Sequence, residues 1–168
     1  MSNTLNLVLS YDYVKSLLNL NWRDVLYAID HGFFSTQAAI DYAVELIGKE
    51  QEPSQSVIAL ACLDKGESIH PHIDELASQP SEHEDSISQK KFLYAILNWV
   101  YEHREQYEDP LEMVEIIYAD FDYPEEIAGF VRYMPVSDPV LGSLELNRER
   151  LFNKWKDYLE KQKSRYSM

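Results

Sequence analysis

A single cysteine, Cys62, is all the thiol chemistry this chain has. It excludes an internal disulfide and any cysteine-based metal knuckle, and a chain without a disulfide framework suits a reducing compartment. The apolar run Ile58-Ala59-Leu60-Ala61-Cys62-Leu63 predicts a buried, inert thiol. Glycine is scarce too. The five glycines are scattered at expected helix ends and form no phosphate-cradling loop, and no serine stands in a nucleophile elbow. No apolar stretch is long enough to cross a bilayer, and the first residues lack a basic patch leading into an apolar run. The expected location is cytoplasmic, with no membrane contact. Bases are the last deficit: 15 Lys and Arg stand against 29 Asp and Glu, a formal net charge of −14. Such a surface repels phosphates, which disfavours direct nucleic-acid binding, and it attracts a basic protein and speeds the encounter. Solubility alone is the competing explanation.

There is ample apolar material. Of 168 residues, 45% are hydrophobic and 12% aromatic, too many for a disordered chain. One domain over residues 1–168 is expected. The periodicity is helical almost throughout. Ser10 opens a short helix carrying Val14, Leu17 and Leu18 inward. Trp22, Val25, Leu26 and Ile29 follow i, i+3, i+4, i+7, with Asn21 as N-cap and Gly32 as the stop. Ile40, Ala43, Val44 and Ile47 repeat the pattern, closed by Gly48; Pro53 and Ser54 then open a helix burying Val57, Ile58 and Ala61.

Residues 66–86 are polar, contain Pro71 and Pro80, and predict a loose loop with one short helix near Ile73–Ala77. A long helix follows, with Phe92, Leu93, Ile96, Leu97, Trp99 and Val100 on its apolar face. Asp109-Pro110-Leu111-Glu112 and Tyr123-Pro124-Glu125-Glu126 are marked helix starts, with proline at the first position and acids in the first turn. These helices carry Val114 and Ile117, then Ile127, Phe130, Val131 and Met134, before Pro135 and Pro139 break the chain. A last amphipathic helix presents Leu151, Trp155 and Leu159. The fold class is all-α, roughly eight helices with short connections, and one short strand over residues 5–9 stays open. Leu26-Tyr27-Ala28-Ile29 and Leu93-Tyr94-Ala95-Ile96 echo each other, too briefly to establish a repeat.

Chemistry could sit in two places. His70, His72 and His83, with Glu82 and Glu84, form a loose group that could supply two imidazoles and a carboxylate to a divalent ion. A loop pre-organises such ligands poorly, so neither a metal, nor a cofactor, nor a catalytic residue is assigned. His31 beside Gly32 fits a helix-end cap, and His103 among Glu102, Arg104 and Glu105 fits a solvated face. The second place is residues 102–126, where ten acids surround one base, Arg104, with Tyr101, Tyr107, Tyr118, Phe121 and Tyr123 interleaved. No spacing singles out an acid pair for catalysis, and the order of a calcium loop is missing. Two readings stand level. One is a solvated acidic face over core tyrosines. The other is a partner-binding surface made by Glu105, Glu108, Asp109, Glu112, Tyr118, Asp120, Asp122, Tyr123, Glu125 and Glu126. The basic C-terminal stretch, from Arg148 to Arg165, reads as an intramolecular surface feature.

Asn21-Trp22 leading to His31-Gly32, then Ala39-Ile40-Asp41-Tyr42-Ala43, resembles the opening of a bacterial helical family long catalogued as a domain of unknown function. Tyr118-Ala119-Asp120-Phe121-Asp122-Tyr123-Pro124, continuing to Phe130-Val131-Arg132-Tyr133-Met134-Pro135, resembles its later motif. The resemblance implies an immunity protein of a polymorphic toxin system, similar to those of contact-dependent growth inhibition. Its implied partner is the C-terminal domain of a cognate toxin, a basic RNase of EndoU type bound one-to-one, and the high net negative charge favours a monomer. The rivals are an acidic helical adaptor and a metal-dependent hydrolase using His70, His72 and nearby carboxylates.

Overall fold

The computed structural model describes residues 3–49, 53–63, 67–77, 85–132 and 144–166. Among them the fold is all-α: eight α-helices and two 3-10 turns, without a strand. Residues 5–9 are coil, and the alternation there is resolved by one backbone bond, from Leu9 N–H to the Phe33 carbonyl at 2.7 Å. The contacts divide the chain into two compact units, Asn6–Phe92 and Leu93–Met168 with Met1–Leu5.

The first unit contains α1 (Tyr11–Leu17), α2 (Trp22–Asp30), α3 (Gln37–Lys49), α4 (Gln55–Ala61), α5 (His70–Ala77) and the start of α6 (Asp85–Glu102). Local capping chemistry sets the starts. Ser10 and Ser54 accept from the amides of Tyr13 and Val57, and Asn21 and Asp24 cap each other reciprocally at the head of α2. That helix ends at His31, and Gly32 turns the chain with a φ of 80°, open to glycine at no steric cost. Phe92 lies at the centre, fully buried, with the rings of Phe34, Tyr27 and Phe33 at 5.4, 6.1 and 6.2 Å. Burying such a ring stabilises by about 2–3 kcal/mol.

Several faces differ from the periodic expectation. In α3 the buried residues are Ala38, Ala39 and Ala43, whereas Val44 is 54% exposed and Ile47 38%. Small alanines let α3 lie close against its neighbours α1, α2 and α4, so its bulkier residues turn outward. Gly48 does not close this helix, which runs on to Lys49. In α4, Val57 and Leu60 are buried, but Ile58 is 44% exposed and Cys62 is exposed at the C-cap. The thiol is therefore not a core group. A helix of seven residues buries one narrow stripe, and Ile58 and Cys62, four apart, share the other side. The expected loop is ordered over 70–77: α5 starts three residues before Ile73, with Pro71 in its first turn, and buries Ile73, Leu76 and Ala77. It packs on α4 and α2.

The second unit holds the rest of α6, a 3-10 turn η1 (Arg104–Gln106), α7 (Pro110–Asp120), a 3-10 turn η2 (Glu125–Phe130) and α8 (Leu144–Tyr166). Proline opens α7 as expected. The second marked start gives a 3-10 turn instead of an α-helix, with Pro124 at its cap. Ile127 and Phe130, buried and three residues apart, align on one face at three residues per turn. They meet α8: Phe130 lies 6.3 Å from Trp155 and 5.7 Å from Tyr158, ring to ring. Trp155 and Leu159 are buried and Leu151 half-buried, as the amphipathic pattern predicts. Met134, Pro135 and Pro139 lie outside the described residues. The echoed tetrapeptides both bury their tyrosine and alanine, but Leu26 is half-buried where Leu93 is buried.

Candidate functional site

The acidic segment begins where α6 ends. His103 is no solvated face: its ring stacks on Trp99 at 4.1 Å and its Nδ1 reaches the Trp99 carbonyl at 2.7 Å. His31 ends α2 in the same way, over Tyr27 at 4.2 Å with Nδ1 on the Tyr27 carbonyl at 2.8 Å. Arg104, the segment's one base before Arg132, lies over the Tyr101 ring at 3.8 Å and donates to the Tyr101 carbonyl at 2.8 Å. It is folded back onto its own turn.

Four of the acids are committed to the unit itself. Asp109 stands at the N-cap of α7 but makes no capping bond; its carboxylate pairs with Arg132 at 2.9 Å. Arg132 also donates to Glu115 at 2.9 Å, and the two carboxylates, Glu115 foremost, hold its guanidinium above the usual arginine range. Glu102 accepts from Asn98 one turn back. Asp120 is buried and accepts the backbone N–H and hydroxyl of Thr4 at 2.8 and 2.7 Å. Tyr118 is buried as well. Thus Tyr118 and Asp120, two of the expected surface residues, face the interior, and Asp109 is half-buried and paired.

What stays outside is Glu105, Glu108, Glu112, Asp122, Tyr123, Glu125 and Glu126, all exposed. None of these six carboxylates has a Lys, Arg or His within ion-pair distance among the described residues. Glu112, Glu125 and Glu126 sit in first turns, where exposed backbone N–H groups favour negative charge.

One residue among them is held by an unusual turn. Phe121 caps α7; Asp122 N–H donates to Ala119 O at 3.2 Å and Tyr123 N–H to Tyr118 O at 2.8 Å. That is the Schellman pattern, whose left-handed position is normally glycine. Here Asp122 has a φ of 59° and Tyr123 a φ of 58°. The Tyr123 ring is 63% exposed and meets the Tyr118 ring edge-on at 5.3 Å.

The His/carboxylate group looks different from its sequence. His70 stands on the first turn of α5, 3.8 Å from Asp74, and His72 lines an open surface cleft together with Ser56 and Ile58 of α4. His83, Glu82 and Glu84 fall outside the described residues. Among the described residues no three His, Cys, Asp or Glu side chains gather to hold a metal ion. On α8, Arg148 lies over Phe152 at 5.4 Å and Arg150 donates to Asn147 at 3.2 Å, contacts within the helix itself.

The sequence also hid a buried polar cluster in the first unit. Asp24 accepts from Ser88 Oγ at 2.7 Å, from Lys91 Nζ at 2.7 Å and from Asn21 N–H at 3.1 Å. The Asn21-x-x-Asp24 capping spacing was the available signal.

A family model described as an uncharacterized protein conserved in bacteria, DUF2247, matches residues 11–163. The chain belongs to the DUF2247 family. Neither a curated protein nor a solved structure matches it. The DUF2247 match begins at the first residue of α1 and ends within the last turn of α8, so the acidic surface lies wholly inside it. Among the described residues of this DUF2247 chain, no helix is long and apolar enough to cross a membrane.

Proposed function

We propose that this DUF2247 protein is an immunity protein, which binds the nuclease domain of a cognate bacterial toxin and neutralises it by occlusion. The observation that carries the reading is the set of six exposed carboxylates that have no ion-pair partner among the described residues, all on one unit, with Asp122, Glu125 and Glu126 next to the exposed Tyr123 along the chain. A toxin domain that binds RNA presents a basic cleft, since it must neutralise phosphates. An acidic protein surface can occupy such a cleft, and long-range attraction speeds the encounter. The sequence resemblance names the partner class: a C-terminal RNase domain of EndoU type, met in the cytoplasm as a one-to-one complex. In this reading the chain does no chemistry of its own.

The test is calorimetric binding to the C-terminal toxin domain encoded immediately upstream, with that domain's RNase activity measured in parallel. Nanomolar one-to-one binding with loss of activity is expected. An RNase that stays active when saturated overturns occlusion, and no binding at low salt overturns the immunity reading altogether.

A further inference from the structure

We infer that Tyr123 is the anchor of this surface, a phenol ring held outward in advance to seat in a pocket of the basic partner domain. The inference rests on the immunity reading and adds a division of labour within it: carboxylates bring the partner in, and one ring keeps it.

The basis is the ring and its backbone. Large aromatics are ordinarily drawn into a core, and this unit has one, with Tyr94, Tyr118, Phe121, Phe130, Trp155 and Tyr158 buried. Tyr123 is 63% exposed. The chain holds it there at a cost: left-handed backbone disfavours an L side chain by roughly 1–2 kcal/mol, and two successive residues, Asp122 and Tyr123, adopt it. Strain of this kind persists where the surroundings over-determine it, and it concentrates at functional positions.

Three features over-determine it here. The Schellman bonds fix both backbone N–H groups, Pro124 follows with a φ of −64°, and the buried Tyr118 ring braces one edge of the phenol. The ring therefore loses little freedom on binding, which is what makes tyrosine an economical contact residue. Its hydroxyl makes no hydrogen bond among the described residues, so a partner donor, acceptor or cation can take it. The occupant is protein and basic: neighbouring Asp122, Glu125 and Glu126 repel a nucleic-acid phosphate and complement lysine and arginine.

The experiment measures association and dissociation rates of the full chain with the upstream-encoded toxin domain. Tyr123→Asn and Tyr123→Asp both remove the ring while placing a residue that tolerates left-handed backbone, and retained near-UV dichroism shows which of them is folded. A folded variant is expected to dissociate about thirtyfold faster, the size of a hot-spot loss, with association within about threefold of wild type. Tyr123→Phe, keeping the ring, should fall between. Wild-type dissociation in a folded ring-less variant overturns the anchor and leaves immunity standing. Failure of the wild-type chain to bind overturns both.

Discussion

The Asp24 carboxylate lies 2.7 Å from the Lys91 ammonium, Asp24 wholly buried and Lys91 nearly so. Lys91 Nζ also donates to the Asn19 carbonyl at 2.9 Å, and so ties α6 to the chain just ahead of α2. Removing one partner of such a pair leaves a buried charge uncompensated. Lys91→Met is expected to lower the unfolding free energy by about 3 kcal/mol, read from urea denaturation. A loss below about 1 kcal/mol would mean that Ser88 and Asn21 satisfy Asp24 on their own.

Alkaline pH should unfold the protein through its tyrosines. Burial raises the phenol pKa of Tyr11, Tyr94 and Tyr158 above the usual 10, and for Tyr11 a hydrogen bond to Glu45 adds to it. The folded state thus keeps protons that the unfolded state releases above pH 10. Stability is fully present below that pH and falls above it, by about 1.4 kcal/mol per pH unit for each proton so held. Phenolate absorbance and loss of helical dichroism should therefore rise together. Phenolate appearing at these sites in the folded protein would contradict the burial.

The same pair sets an acid limb. Glu45 is held below its usual pKa of 4.5, first by the Tyr11 hydroxyl and then by Lys49. Its contribution is present above pH 4.5 and is lost as pH falls through the folded value. Tyr11→Phe should shrink the loss of stability between neutral pH and pH 3, and equal acid sensitivity in the variant would remove Glu45 from the account.

Steering should be separable from structure. Glu105, Glu108, Glu112 and Glu125 are exposed with no ion pair among the described residues, whereas Asp109 is clasped by Arg132. Converting the four glutamates to glutamine is expected to slow association with the toxin domain about tenfold at low salt and to flatten its salt dependence. Asp109→Asn should instead lower stability, by about 1 kcal/mol, with little effect on association. The reverse pattern would place the interface elsewhere.

Cys62 gives the quickest check. An exposed thiol at a helix end should react with a disulfide reagent in the native protein, without denaturant. Reaction that needs denaturant would return it to the core. On α3, Val44→Lys is expected to change stability by less than about 0.5 kcal/mol, and Ala43→Leu to cost about 1–3 kcal/mol by overpacking.

Helix starts were legible because capping is local: Ser10, Asn21, Ser54 and Pro110 act within three residues of themselves. Helix faces were less so. The wheel of α3 has an alanine arc and a Val44–Ile47 arc, and which of them is buried depends on neighbours that the wheel does not contain. Asp120 read as a surface acid because the group that claims it, Thr4, is 116 residues away. The turn at Asp122 and Tyr123 carries no glycine to announce it. Its conformation is imposed by bonds back into α7, so the most distinctive feature of the surface is the one with the weakest local signature.

The three tryptophans sit in three different surroundings. Trp155 is enclosed, with Tyr101, Phe152 and Phe130 rings around it. Trp99 is stacked on an imidazole, and Trp22 lies edge-on to Tyr42 at 4.6 Å in the other unit. Their emission should differ in colour and yield, with the buried Trp155 at the shortest wavelength. The molecule thereby carries its own optical labels, one set per unit, and the melting of either half can be watched without attaching a dye.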